Sequence, residues 1–195
     1  MFLVDGGFVA NGGGQHAVTT SLIQGQNVGV AAGGALKLYN GGTIYGVNGQ
    51  GVYLQTGGSI VSDGRIESKD AQAIYAKTGA ATIRNLGEMV AKANTAVLLA
   101  AGGSIYNYGG IISQAGVAVS LGAAGTITNG AASGGGLEGS IEGVSAGVSA
   151  VAVATVVNAD GSIYGQVGVD LAAGGLIDNG ALGAIGGRTG VGGGG

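Results

Sequence analysis

A unit of about 22 residues, marked by three apolar anchors, recurs along this chain and constrains its fold more than any other feature. The first anchor stands at Val9, Leu38, Ile60, Ile83, Ile105, Ile127, Val156 and Ile177. The second stands at Ile23, Ile44, Ile66, Met89, Ile111, Ile141, Ile163 and Ile185, and the third at Val30, Val52, Ile74, Val97, Val119, Val148, Val169 and Val191. In a standard unit the gaps are six, eight and eight residues, as in Ile83 to Met89 to Val97 to Ile105. Each gap has room for one short strand and a bend, and none for a helix of ordinary length. The third segment alternates in the manner of a half-buried strand, as in Val52-Tyr53-Leu54 and Val97-Leu98-Leu99.

Three short strands per turn, stacked turn on turn, predict an all-β fold: a single-stranded, right-handed parallel β-helix of about eight turns of about 22 residues. Residues 1–195 then form one solenoid domain, expected to be a segment of a longer one, with 192–195 as a glycine tail. With equivalent strands about 4.8 Å apart, eight turns make a rod of about 38 Å.

Composition fits this reading and removes others. The chain has 47 glycines, yet at 46% hydrophobic and 9% charged it is unlike a disordered segment. Collagen is excluded because there is no proline and no glycine at every third position. With no cysteine and one histidine, His16, neither a disulfide framework nor a zinc site is expected. Glycine belongs at the bends, and proline is excluded where nearly every strand has a neighbour on both sides.

Two residues after the first anchor lies a column of asparagines: Asn11, Asn40, Asn85, Asn107, Asn129, Asn158 and Asn179, with Ser62 in the remaining place. A period of two turns this residue inward with its anchor. Stacked amides there would bond to one another and to the bend backbone, which predicts a structural ladder. None of these asparagines begins an N-x-Ser/Thr glycosylation sequon. Two units carry eight extra residues just after this column, between Asn11 and Ile23 (with Gln15, His16 and Thr19) and between Asn129 and Ile141 (with Ser133 and Gly134). Five units apart, the two loops should project from one edge about 24 Å from each other.

The net charge is −3, but six of the seven basic residues lie between Lys37 and Lys92, and none lies between Ala93 and Gly187. The acidic second half argues against nucleic acid as a partner, and no apolar run reaches the roughly 20 residues of a membrane span. Asp63, Arg65, Glu67, Lys69 and Asp70, with Arg84, Glu88 and Lys92 one turn on, form the charge cluster best placed for acid–base work. Mixed signs on adjacent rungs read as surface ion pairs instead. Gly134 to Gly139 matches G-x-G-x-x-G, but no helix follows to hold a phosphate. No catalytic, cofactor-binding or metal site is predicted. Tyr53 and Tyr75 fall in one outward column, continued by Leu98, and form the candidate surface for stacking on sugar rings. Thr82, Thr126 and Thr155 do not make the regular array that ice binding needs.

The run Gly102-Gly103-Ser104-Ile105-Tyr106-Asn107-Tyr108-Gly109-Gly110-Ile111-Ile112, followed by Gly116-Val117-Ala118-Val119-Ser120-Leu121, resembles the passenger repeats of bacterial autotransporters and related β-helical surface adhesins. The resemblance extends from about Gly7 to Val191. It implies secretion, display at the surface of a Gram-negative cell, and a non-enzymatic structural or adhesive role. Partners are then glycans or proteins of a host or neighbouring cell, with no membrane insertion of this segment. Two other readings stay open: a subunit that self-associates end to end into an extracellular fibre, and a carbohydrate-binding or carbohydrate-cleaving β-helix of the tailspike kind.

Overall fold

The computed structural model describes residues 1–12, 21–131, 138–187 and 191–193. All regular structure there is β: twenty-five strands of two to five residues and no helix among the described residues. The strands form three parallel sheets. Sheet A runs through nine strands from Phe2–Leu3 to Val191–Gly193, sheet B through eight from Gly7–Asn11 to Gly175–Asn179, and sheet C through eight from Leu22–Gly25 to Ala184–Gly187. Within every sheet each strand pairs with its equivalent one turn away. Eight strands in sheets B and C enclose seven full turns of about 22 residues, so the chain is a parallel β-solenoid.

One rung shows why the sequence folds this way. Ala81–Asn85 lies on sheet B and alternates buried and exposed, Glu88–Ala91 lies on sheet C, and Val97–Leu99 lies on sheet A. Ile83, Met89 and Val97 point inward from the three sheets and are fully buried. The three anchor columns keep register throughout: Ile60, Ile83, Ile105 and Ile127 are successive partners in sheet B, Ile66, Met89, Ile111 and Ile141 in sheet C, and Ile74, Val97, Val119 and Val148 in sheet A. β-Branched residues dominate because they pack well on a pleated face. A one-residue slip would turn a whole column out to solvent, so the pattern specifies the register.

The bend from sheet A to sheet B accounts for part of the glycine content. At Gly102 and Gly103 φ is 74° and 137°, and Gly6-Gly7, Gly57-Gly58 and Gly174-Gly175 repeat the pair. A Cβ on Gly103 would lie 2.1 Å from the carbonyl oxygen of Ala81 on the rung below, so both the angle and the stacking distance require glycine.

Two features differ from expectation. Phe2–Leu3 forms a strand of its own, paired with Ala31 and Ala32. Gly192 and Gly193, assigned above to a tail, pair with Asp170 and Leu171 and extend sheet A. Ladder bonds need only backbone N–H and C=O, which glycine supplies like any other residue.

Candidate functional site

The asparagine column occupies the bend between sheets B and C, and all its members except Asn179 are buried. Each Nδ2 donates to the next rung: Asn85 to Asn107 Oδ1 (2.8 Å), Asn107 to Asn129 (2.7 Å), Asn129 to Asn158 (2.8 Å) and Asn158 to Asn179 (2.8 Å). The second Nδ2 hydrogen is directed to bend carbonyls, for example from Asn107 to Gly109 and Ser140, both at 3.0 Å. The same pattern links Asn11 to Asn40 at 2.8 Å. Carbonyls that the bend removes from the sheet ladders are thereby satisfied.

The ladder breaks at Ser62. Asn40 Nδ2 donates to Ser62 Oγ at 3.0 Å, and that hydroxyl donates onward to Gly64 O at 3.3 Å. Nothing then reaches Asn85 Oδ1, which alone among the buried side-chain polar atoms of the described residues lacks a partner. An asparagine at 62 would restore the donor. Ser62→Asn is therefore expected to stabilise the chain by about 1 kcal/mol, a rise in Tm of about 2–4 °C at this size, measured by thermal unfolding. An unchanged or lowered Tm would show that the rung cannot accept the amide.

A second bend, from sheet C to sheet A, uses serine. Ser68 Oγ donates to Gly49 O at 2.7 Å and accepts from Ala71 N, and Ser113 Oγ donates to Asn94 O at 2.7 Å and accepts from Gly116 N. The sequence reading missed this pair, since the same column holds Gly46 and Ala91 elsewhere and shows no repeated residue type.

The charge cluster lies on the outer face of sheet C. Arg65 Nε donates to Glu67 at 2.7 Å, Lys92 Nζ bonds the other Glu67 oxygen at 2.7 Å, and Arg65 also pairs with Glu88, its partner on the next strand. Lys69 and Asp70 are 4.0 Å apart. Burial pushes the Glu67 carboxyl up, but hydrogen bonds from Lys92 and Arg65, with their charges, outweigh it and hold the group below 4.5. The bond to Glu67 raises Lys92 above 10.5. A carboxylate held ionised between two cations is a poor proton donor, so the geometry suits register pairing better than acid–base work. A lowered acid pKa contributes stability that is present above about pH 4.5 and lost as pH falls through the folded value; a raised lysine pKa contributes below about pH 10.5 and is lost above it. Tm is accordingly expected to hold level from about pH 5 to 10 and to fall on the acid side, with a smaller acid fall in Glu67→Gln. An equal acid fall in that variant would remove Glu67 as its source.

Tyr53 and Tyr75 are neighbours in sheet A, half-buried, with centroids 5.6 Å apart and ring planes at 62°, and Leu98 continues the column. The Tyr53 hydroxyl is bound to Gln55. Crossed rings present one face and one edge, not a continuous flat stripe.

The outer face of sheet B is richer than the sequence reading allowed. Tyr39 and Tyr106, three turns apart, share one column in the order Tyr39, Val61, Arg84, Tyr106. Phe8 packs on Tyr39 with centroids 5.7 Å apart, and the Arg84 guanidinium lies 5.6 Å from the Tyr108 ring centroid. The neighbouring column holds Lys37, Ser59, Thr82, Ser104, Thr126 and Thr155, so the three threonines do share a column, interrupted by Ser104. Register arithmetic across the bends was the signal that could have revealed both columns.

Both insertions leave the B–C bend through a glycine just after the asparagine, Gly12 with φ 65° and Gly130 with φ 78°. Gln15, His16, Thr19, Ser133 and Gly134 lie outside the described residues. No family model, no curated protein and no solved structure matches this chain.

Proposed function

We propose that this chain is a non-enzymatic structural and adhesive segment of a secreted bacterial surface protein, an autotransporter-like passenger stalk that meets its partners through its outer faces. One observation carries the reading: inward positions repeat from rung to rung, whereas the outward column that holds Arg84 and Tyr106 varies. In sheet B the inward sequence Ile60, Ile83, Ile105, Ile127 is matched outside by Val61, Arg84, Tyr106, Thr128. A repeated interior builds a rigid rod, and a varied exterior on a rigid rod is where recognition can reside. The carboxylates of the central cluster are committed to neighbouring cations, which favours this reading over catalysis. Secretion and display at a Gram-negative surface belong to the same proposal and rest on the resemblance of the repeats.

Beads coated with the chain are expected to adhere to glycan-bearing cells and to lose adhesion after periodate oxidation of those cells. Adhesion no greater than with albumin-coated beads would count against the adhesive role. Release of reducing sugar from a polysaccharide panel would favour a tailspike-like enzyme instead.

A further inference from the structure

Among the described residues, the lysines and arginines fall into three groups, of which the first is Lys77 alone, exposed just past the sheet A strand Ile74–Ala76. Arg65 lies on sheet C, Lys69 and Lys92 just past the ends of its strands, and all three meet carboxylates. Lys37 and Arg84 lie on the outer face of sheet B, exposed, and neither is in an ion pair. Between their rungs that face carries no acid; Asp63 stands in the bend just after Ser62. A chain of net charge −3 thus presents a positive face in its first half.

The surroundings of these cations favour a sugar polymer. Tyr39 is 52% and Tyr106 40% exposed; in the column of Arg84, Tyr106 is its neighbour and Tyr39 stands two rungs away, beyond Val61. Ser59 and Thr82 offer hydroxyls in the column of Lys37. Lys37 lines a depression of about 540 Å³ together with Gly7, Phe8, Leu36 and Gly58. Exposed rings stack on the apolar faces of sugars, hydroxyls exchange bonds with sugar hydroxyls, and a guanidinium takes a carboxylate or sulfate in a bidentate grip. Lys37 and Arg84 are two rungs apart, about 10 Å along the axis. That spacing suits acid groups set at intervals along a saccharide better than the dense phosphates of nucleic acid.

We propose that the outer face of sheet B, centred on Lys37, Arg84 and Tyr106, binds an anionic polysaccharide laid along the solenoid axis. This rests on the adhesive reading above and names its ligand class. Affinity electrophoresis of the full chain through gels containing polygalacturonate, heparin, neutral dextran or single-stranded DNA tests it. Retardation is expected with one or both acidic polysaccharides at about 25 mM salt and not with dextran, and it should weaken strongly by about 200 mM as charge is screened. Retardation by polygalacturonate identifies carboxylate as sufficient, and retardation by heparin alone identifies sulfate. Lys37→Gln with Arg84→Gln should weaken binding about tenfold or more and Tyr106→Ala severalfold, while Lys69→Gln, just past the sheet C strand Arg65–Ser68, should leave it unchanged. All four positions are on the surface, so folding is preserved, which circular dichroism checks. No retardation by either acidic polysaccharide, binding that survives the double substitution, or DNA retarding the chain as strongly would overturn the proposal. Beads that adhere to cells under those outcomes would leave the adhesive reading standing without it.

Discussion

Asn107→Leu is expected to destabilise the chain by about 3–5 kcal/mol. The side chain is fully buried and takes part in four hydrogen bonds: it accepts from Asn85 Nδ2 and donates to Asn129 Oδ1, Gly109 O and Ser140 O. Leucine has the same branched shape and is larger, so none of the loss comes from a cavity. It comes from partner groups left buried and unpaired, including an Asn85 amide whose oxygen already lacks a donor. At this size the shift in Tm is about 10 °C or more. Asn179→Leu is the control, because Asn179 is exposed and bonds a bend carbonyl, Gly183 O, at 2.9 Å; it should cost less than about 1 kcal/mol. Equal effects at the two positions, measured by denaturant unfolding, would mean that the column is not a buried network.

Gly103→Ala should follow closely, at about 2–4 kcal/mol. Two costs combine there: φ is 137°, and the new Cβ would approach Ala81 O to 2.1 Å, with Ala81 N at 2.8 Å. Those atoms are backbone of the paired rung, so relief would require spreading the sheet. Gly174→Ala separates the two causes. Its φ is 76°, but nothing lies within 4 Å of the added Cβ, which leaves backbone strain of about 1 kcal/mol. If both substitutions cost the same, stacking distance is not what selects glycine at Gly103.

Much of this architecture is legible in the sequence because a solenoid writes its interior as a period. Ile60, Ile83, Ile105 and Ile127 could be aligned by eye, and the same alignment placed Asn85, Asn107 and Asn129 in one column and Glu88 beside Arg65. What escaped lacks periodicity or depends on partners across a bend. Ser68 and Ser113 cap their bend on rungs separated by one that carries Ala91 in that place. Arg84 meets Tyr108 only because one precedes and the other follows an asparagine on adjacent rungs. Val90 sits on the outward side of Met89 and is nevertheless buried, since its partners in register are Glu67 and Ile112, whose long side chains cover apolar surface. The outer faces, where the proposed recognition lies, are thus the part the repeat describes least.

The rigid rod on which those faces depend is tested most directly by hydrogen exchange of the asparagine side-chain amides, followed by NMR. Nδ2 protons of Asn85, Asn107, Asn129 and Asn158 bridge successive rungs inside the bend, so they are expected to exchange only when the solenoid opens, orders of magnitude more slowly than those of exposed Asn94. Asn179 should fall between the two groups. Exchange of all of them at the rate of Asn94 would contradict the buried ladder and, with it, the rung register that sets the proposed binding face.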